Sequence, residues 1–172
     1  MLNSVAAHDY EFSTEWKVKG TLGEVSSILK DVEAFPEWWR PVCISANVVD
    51  VGEANGLGRR VDFVTRGFLP YKLRWQLRVI ESRDPYGFTF CAAGDLVGLG
   101  HLEIDESGPL IKVRLKWTVR AQKSIVRRLS FLLRPLFAKN HFWAMTRGRM
   151  GLEIEILRQR SRFDHSTYKV NY

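Results

Sequence analysis

Leu110–Arg120 reads LIKVRLKWTVR, and Ile125–Gln159 reads IVRRLSFLLRPLFAKNHFWAMTRGRMGLEIEILRQ. In the first stretch Ile111, Val113, Leu115, Trp117 and Val119 alternate with Lys112, Arg114, Lys116, Thr118 and Arg120. A period of two is a strand with one apolar and one basic face. In the second stretch apolar residues return at helical spacing, and Pro135 interrupts them. Proline removes a backbone donor and crowds the preceding turn, which predicts a kink or two helices meeting there. The chain therefore turns from sheet to helix for its last third.

The residues before Leu110 extend the sheet. Tyr71–Ile80 sets Tyr71, Leu73, Trp75, Leu77 and Val79 against Lys72, Arg74, Gln76 and Arg78. Strands are also expected over Tyr10–Val18, Ile44–Val51, Gly58–Gly67, Phe88–Ala93 and Val97–Ile104, the last loosened by Gly98 and Gly100. Turn residues at Gly52–Gly56 and Asp84–Gly87 separate them. Thr21 followed by Glu24 reads as a capping box for a short helix that stops near Lys30 and Asp31. A second short helix starts near Val32, with Pro36 in its first turn and Trp38 and Trp39 as anchors. The order predicts an α+β class: two short helices after strand 1, six to seven antiparallel strands, then one long helix. That helix is the one element large enough to cover the apolar face of the sheet. The tail Ser161–Tyr172 carries no pattern and is expected to fray.

The 172 residues suit a single domain with a core over about residues 10–157 and short tails. Aromatic residues make up 12% and include six tryptophans, which needs a large apolar interior or cavity. Charge is uneven: residues 1–57 hold four Lys/Arg and nine Asp/Glu, and the remainder holds 22 and ten. Cys43 and Cys91 stand apart with no CxxC spacing, so neither a disulfide framework nor a zinc site is expected. Met1–Asp9 lacks the basic and apolar regions of a signal peptide, and no apolar run reaches the length of a membrane span. A cytoplasmic protein is the expectation.

The segments Thr21-Leu22-Gly23-Glu24-Val25 and Phe35-Pro36-Glu37-Trp38-Trp39, with the strand before them, resemble the start of SRPBCC proteins. These form the START, polyketide cyclase/dehydrase and lipid-transport superfamily. Gly67–Tyr71, Gly94-Asp95-Leu96 with Gly98 and Gly100, and Asn140–Met145 with Gly151-Leu152 are similar to an uncharacterised bacterial branch of it. The resemblance covers about Tyr10 to Leu157. It implies a helix-grip fold, a curved antiparallel sheet wrapped round the C-terminal helix, with a deep cavity between them. The superfamily hosts carriers, sensors and cyclases alike, so the implied function is no more specific than apolar ligand binding.

Alternation places Thr14, Trp16, Phe63, Tyr71, Leu73, Trp75, Phe88, Phe90, Val113, Leu115 and Trp117 on the inner face. Trp39, Tyr71, Trp75 and Trp117 read either as pocket walls or as ordinary core. Phe63 and Phe90 are candidates beside them. Gly98 and Gly100 either leave room on that face or mark a twist or bulge. On the long helix Leu133, Leu136, Asn140, Trp143, Ala144, Arg147, Gly151 and Ile154 fall on one stripe. Asn140 and Arg147 thus put polar groups on the gripping face. Arg147 is expected to meet either an anionic ligand group or an internal carboxylate such as Asp62 or Asp95. Asn140 would add a directed hydrogen bond. His141 lies to the side and reads as a structural hydrogen-bonder sooner than a general base, since no Ser, Cys or carboxylate is spaced to pair with it. His101 faces out if Leu102 faces in.

No HExxH, GxSxG, P-loop, GxGxxG or Cys/His cluster occurs. Neither metal nor cofactor is implied, and no catalytic residue is assigned. The leading reading is a carrier or sensor of a lipid, isoprenoid, quinone or aromatic metabolite with an amphipathic character. A polyketide cyclase or dehydratase stands as the enzymatic alternative; it would need Arg147 and Asn140 to converge with Tyr71 or His141. Lys72, Arg74, Arg78, Lys112, Arg114 and Lys116 form the third feature. If their strands are close, they make a basic patch for an anionic membrane or acidic partner, extended by Lys123, Arg127 and Arg128. The aromatics point to the other face, which argues against nucleic acid.

Overall fold

The computed structural model describes residues 9–121 and 124–168, with side chains described for 10–120 and 135–162. Seven strands form one antiparallel sheet: β1 (Asp9–Val18), β2 (Cys43–Asp50), β3 (Arg60–Arg66), β4 (Lys72–Ser82), β5 (Gly87–Gly94), β6 (Leu96–Asp105) and β7 (Ile111–Ala121). Their order across the sheet is β1-β7-β6-β5-β4-β3-β2. Each strand from β2 to β7 thus pairs with its sequence neighbour, and β1 closes on β7, with Phe12 opposite Trp117 and Trp16 opposite Val113. The alternation seen in the sequence carries through: Val61, Phe63, Leu77, Val79, Phe90, Val113 and Val119 are buried, and the basic partners face out.

Between β1 and β2 lie α1 (Leu22–Lys30), a 3₁₀ turn over Val32–Ala34 and α2 (Phe35–Trp38). The capping box forms as read. Thr21 N–H donates to Glu24 Oε2 at 2.8 Å and Glu24 N–H donates to Thr21 Oγ1 at 3.2 Å, which contributes about 1 kcal/mol. Arg160 of the last helix clamps the same carboxylate at 2.6 and 2.8 Å and holds it down to about 2.

That last helix, α3, runs Ser124–Tyr168. It is one helix with Pro135 inside it, not two, and it continues through Ser161 to Tyr168 where fraying was expected. Its inward face changes character along its length. Gly148 packs on the Trp16 and Trp39 rings, and Gly151 lies against the carbonyl of Trp38, so close that neither has room for a Cβ. Leu152 and Ile156 then fill the core with Val18, Val25 and Ile28. This glycine notch lets one half of α3 seat on α2 and β1. The half from Phe137 to Met145 faces the middle of the sheet instead.

Among the described residues no helix is long and apolar enough to cross a membrane. Cys43 is buried and Cys91 half-buried, and both are free. The side chains of Lys123, Arg127, Arg128 and Leu133 lie outside the described residues.

Candidate functional site: an aromatic cavity under the long helix

The inward side chains of the sheet and residues Phe137–Met145 of α3 enclose a cavity of about 220 Å³. Its wall is apolar and rich in aromatic rings, with Trp39 and Phe35 from the α2 region, Phe63, Trp75, Phe90 and Trp117 from the sheet. The rings brace one another: Phe63 stacks on Trp75 at 4.9 Å, Trp75 tilts against Trp117 at 5.3 Å, and Phe90 meets Trp117 edge-on at 5.8 Å. Each such pair adds about 0.5–1.5 kcal/mol beyond burial. Two indoles satisfy their N–H groups in the wall itself. Trp39 donates to the Ala144 carbonyl at 2.9 Å and Trp75 to Thr65 Oγ1 at 3.1 Å. Their apolar faces are what remain for the cavity.

One end is more polar, with Tyr10, Tyr71, Asn140, His141 and Arg66. Phe12 stacks on the His141 ring at 3.9 Å, and Thr14 Oγ1 shares a hydrogen bond with His141 Nε2 at 3.2 Å. Burial lowers His141 to about 4, so the imidazole is neutral at pH 7. Burial, with the neighbouring Tyr10 second, pushes the Tyr71 phenol up to about 12. Burial alone pushes the Cys43 thiol up to about 12. Arg66 is the charged member, and its Nε donates to the Pro41 carbonyl at 3.2 Å. A surface pocket formed by Pro41, Phe68, Leu69, Pro70, Lys72 and Trp143 shares Arg66, Gly67 and Tyr71 with the cavity, which marks this end as its mouth.

Solved structures share the fold. The protein TTHA0849 from Thermus thermophilus superposes with a TM-score of 0.68 at 20% identity, over 87% of this chain and 99% of its own. The Zhui aromatase/cyclase from a Streptomyces species gives 0.64 at 12%, over 88% and 96%. A START superfamily protein from Mycobacterium smegmatis gives 0.59 at 16%, over 89% and 99%. The fold is the helix-grip fold that these structures share. At these identities the likeness concerns the fold alone. No protein-family model and no curated protein matches the chain.

Within this fold Trp39, Phe63, Tyr71, Trp75, Phe90, Trp117 and Asn140 all reach the cavity wall. Trp143 and Arg147 do not. The helix is turned so that Trp143 lines only the outer pocket, and Arg147 lies outside the cavity, its guanidinium 5.7 Å over the Trp143 ring. Arg147 therefore does not line the cavity, and the internal carboxylates have other partners; Asp62 accepts from Gln76 and Asp95 from the Arg74 backbone. Ile154 is likewise turned away, and exposed. Asn140 spends its oxygen on the β3–β4 loop, accepting from the Phe68 and Leu69 amides at 2.9 and 3.4 Å. Gly67 fits beneath that side chain because it has no Cβ.

His141, Phe12, Tyr10, Phe137 and Arg66 are cavity residues that the sequence reading did not select. Tyr10 and Phe12 share one face of β1 with Thr14 and Trp16, and that signal was available. Gly100 is on the inner face as one reading held, but the Phe90 ring takes its space; Gly98 sits hard against the Thr118 carbonyl of β7. His101 faces out and bonds Arg83 and Thr89.

The basic patch needs a larger correction. Lys72, Arg74 and Arg78 lie on β4, and Lys112, Arg114 and Lys116 on β7, with β5 and β6 between them. Three strand spacings separate the rows by roughly 14 Å. Arg114 is moreover held by Glu15 at 3.1 Å and Asp105 at 3.0 Å, and Lys112 approaches Asp105 at 3.9 Å. The face is two strips, the one on β7 with its own counter-charges, and not one field.

Proposed function

We propose that the protein is a carrier or sensor for a neutral hydrophobic molecule of modest size, held between α3 and the sheet. The observation that carries this is the wall: tryptophan and phenylalanine rings set among aliphatic residues, and at its polar end a phenol, an amide and an imidazole held uncharged beside Arg66. An anionic head would lose its hydration among those neutral groups; Arg147 is outside, and Arg66, the cation at this end, spends its Nε on the Pro41 carbonyl. The polar end suits a hydroxyl or carbonyl.

Size narrows the class. A dry apolar cavity of about 150 Å³ takes benzene. At about 220 Å³, a substituted ring or fused pair fits, such as a quinone head or an aromatic metabolite, and a long acyl chain does not. The cyclase reading is not favoured, because Arg147 is absent from the cavity and the Asn140 oxygen is already engaged.

Native mass spectrometry of the purified protein is the test. A bound neutral adduct in the wild type, lost in a folded Ala144→Phe variant whose new ring fills the cavity, is the expected result. An adduct that persists unchanged in that variant would contradict the site.

A further inference from the structure

The outward side of α3 carries a feature that the cavity does not use. Phe142 is 73% exposed, Ile154 64%, Leu157 61% and Met150 42%. Trp143 is half-buried beside them, and Phe68 of the β3–β4 loop, 45% exposed, reaches the Trp143 ring edge-on at 6.2 Å. At about 100° per residue, Phe142, Trp143, Met150, Ile154 and Leu157 span an arc of about 120°. Solvent-facing apolar groups gathered on one side in this way mark a contact surface.

Shape and charge select the partner. A two-helix seam is a narrow stripe at alternating three- and four-residue spacing. This arc is wider, includes Phe142 well off that stripe, and continues onto a loop from another element. It suits a plane. Between residues 135 and 162 the helix holds six Lys/Arg and two Glu; Arg149, Arg158 and Arg160 are paired with Glu153, Glu155 and Glu24, and no ion pair is formed by Lys139, Arg147 or Arg162 among the described residues. Lys139 falls within the arc, and Arg147 and Arg149 border it on opposite sides. The lone carboxylate inside it, Glu153, is held by Arg149 at 3.0 Å. Two such surfaces repel each other, whereas an anionic plane attracts both. Tryptophan, phenylalanine and aliphatic residues bordered by arginine and lysine are what an interfacial helix presents to lipid headgroups and the acyl boundary.

We infer that the outer face of α3 and the Phe68 loop dock on an anionic lipid bilayer surface. Docking there sets the mouth of the cavity at Arg66, Gly67 and Tyr71 beside the membrane. The inference stands independently of what the cavity binds, and vesicle binding is measured apart from ligand binding.

Vesicle flotation tests it, with phosphatidylcholine alone and with about 30% phosphatidylglycerol. The wild type is expected to float with the anionic vesicles, less with the neutral ones, and less as salt rises. Ile154→Glu with Leu157→Glu is expected to weaken anionic-vesicle binding by about tenfold or more. Both positions are exposed, so a native melting curve is expected; should that pair misfold, Phe68→Glu on the separate loop carries the same expectation. Equal flotation of the folded variants and the wild type would overturn the inference. So would a wild type that ignores anionic vesicles and is instead a dimer by light scattering, made monomeric by the two glutamates, because the face would then belong to a second copy.

Discussion

His141 shows how a single residue reports its surroundings. In the unfolded chain it titrates near 6.5, and in the fold near 4, because burial disfavours the imidazolium. Between those values the unfolded state binds a proton that the folded state refuses. Stability from this group is therefore complete above pH 6.5, falls as pH drops through the window, and levels off below pH 4. An NMR titration should find the His141 ring protonating near pH 4, and His141→Asn should flatten the decline in melting temperature across that window. A ring titrating near its ordinary 6.5 would mean that it is not buried against Phe12. The sequence could not disclose this, because Thr14 and Phe12, which bracket the ring, are more than 120 residues away.

At the scale of the element, α3 was legible in length and illegible in rotation. The stripe read from the sequence, Leu133, Leu136, Asn140, Trp143, Ala144, Arg147, Gly151 and Ile154, shares Asn140, Ala144 and Gly151 with the inward face, but that face is centred on Phe137, Ala144, Gly148 and Leu152, and Trp143, Arg147 and Ile154 lie off it. The two are offset by roughly a quarter turn. The cause is that apolar residues recur on every side of α3, Phe142 and Leu157 as well as Phe137 and Leu152, so hydrophobicity alone does not pick the side that meets the sheet. The glycines pick it. Gly151→Ala would gain about 1 kcal/mol of helix propensity, yet its methyl meets the Trp38 carbonyl. The expected outcome is net destabilisation of about 1–3 kcal/mol by urea denaturation; a more stable Gly151→Ala variant would show that the notch is not closed. Strands fared better, because a period of two leaves only two faces to choose between. The alternation in β4 and β7 placed Trp75 and Trp117 on the cavity side.

At the scale of the molecule, the sequence order of elements sufficed for the helix-grip architecture, while the neighbourhood of non-consecutive strands did not follow from it. β4 and β7 look alike as sequences, but the antiparallel run from β2 to β7 keeps two strands between them and divides the basic face. The same topology converges ten aromatic side chains from scattered positions on one cavity, and the glycine notch in α3 lets its Phe137–Met145 stretch stand over open space. From that arrangement comes the central claim, that the space holds a neutral hydrophobic molecule. Titration of tryptophan fluorescence with 1-naphthol and with 1-naphthoate addresses it most directly, since Trp39, Trp75 and Trp117 line the cavity. Saturable quenching by the neutral naphthol, with the carboxylate about tenfold weaker or more, and both lost in Ala144→Phe, is the result predicted. Tighter binding of the carboxylate, or no saturable quenching by either, would contradict it.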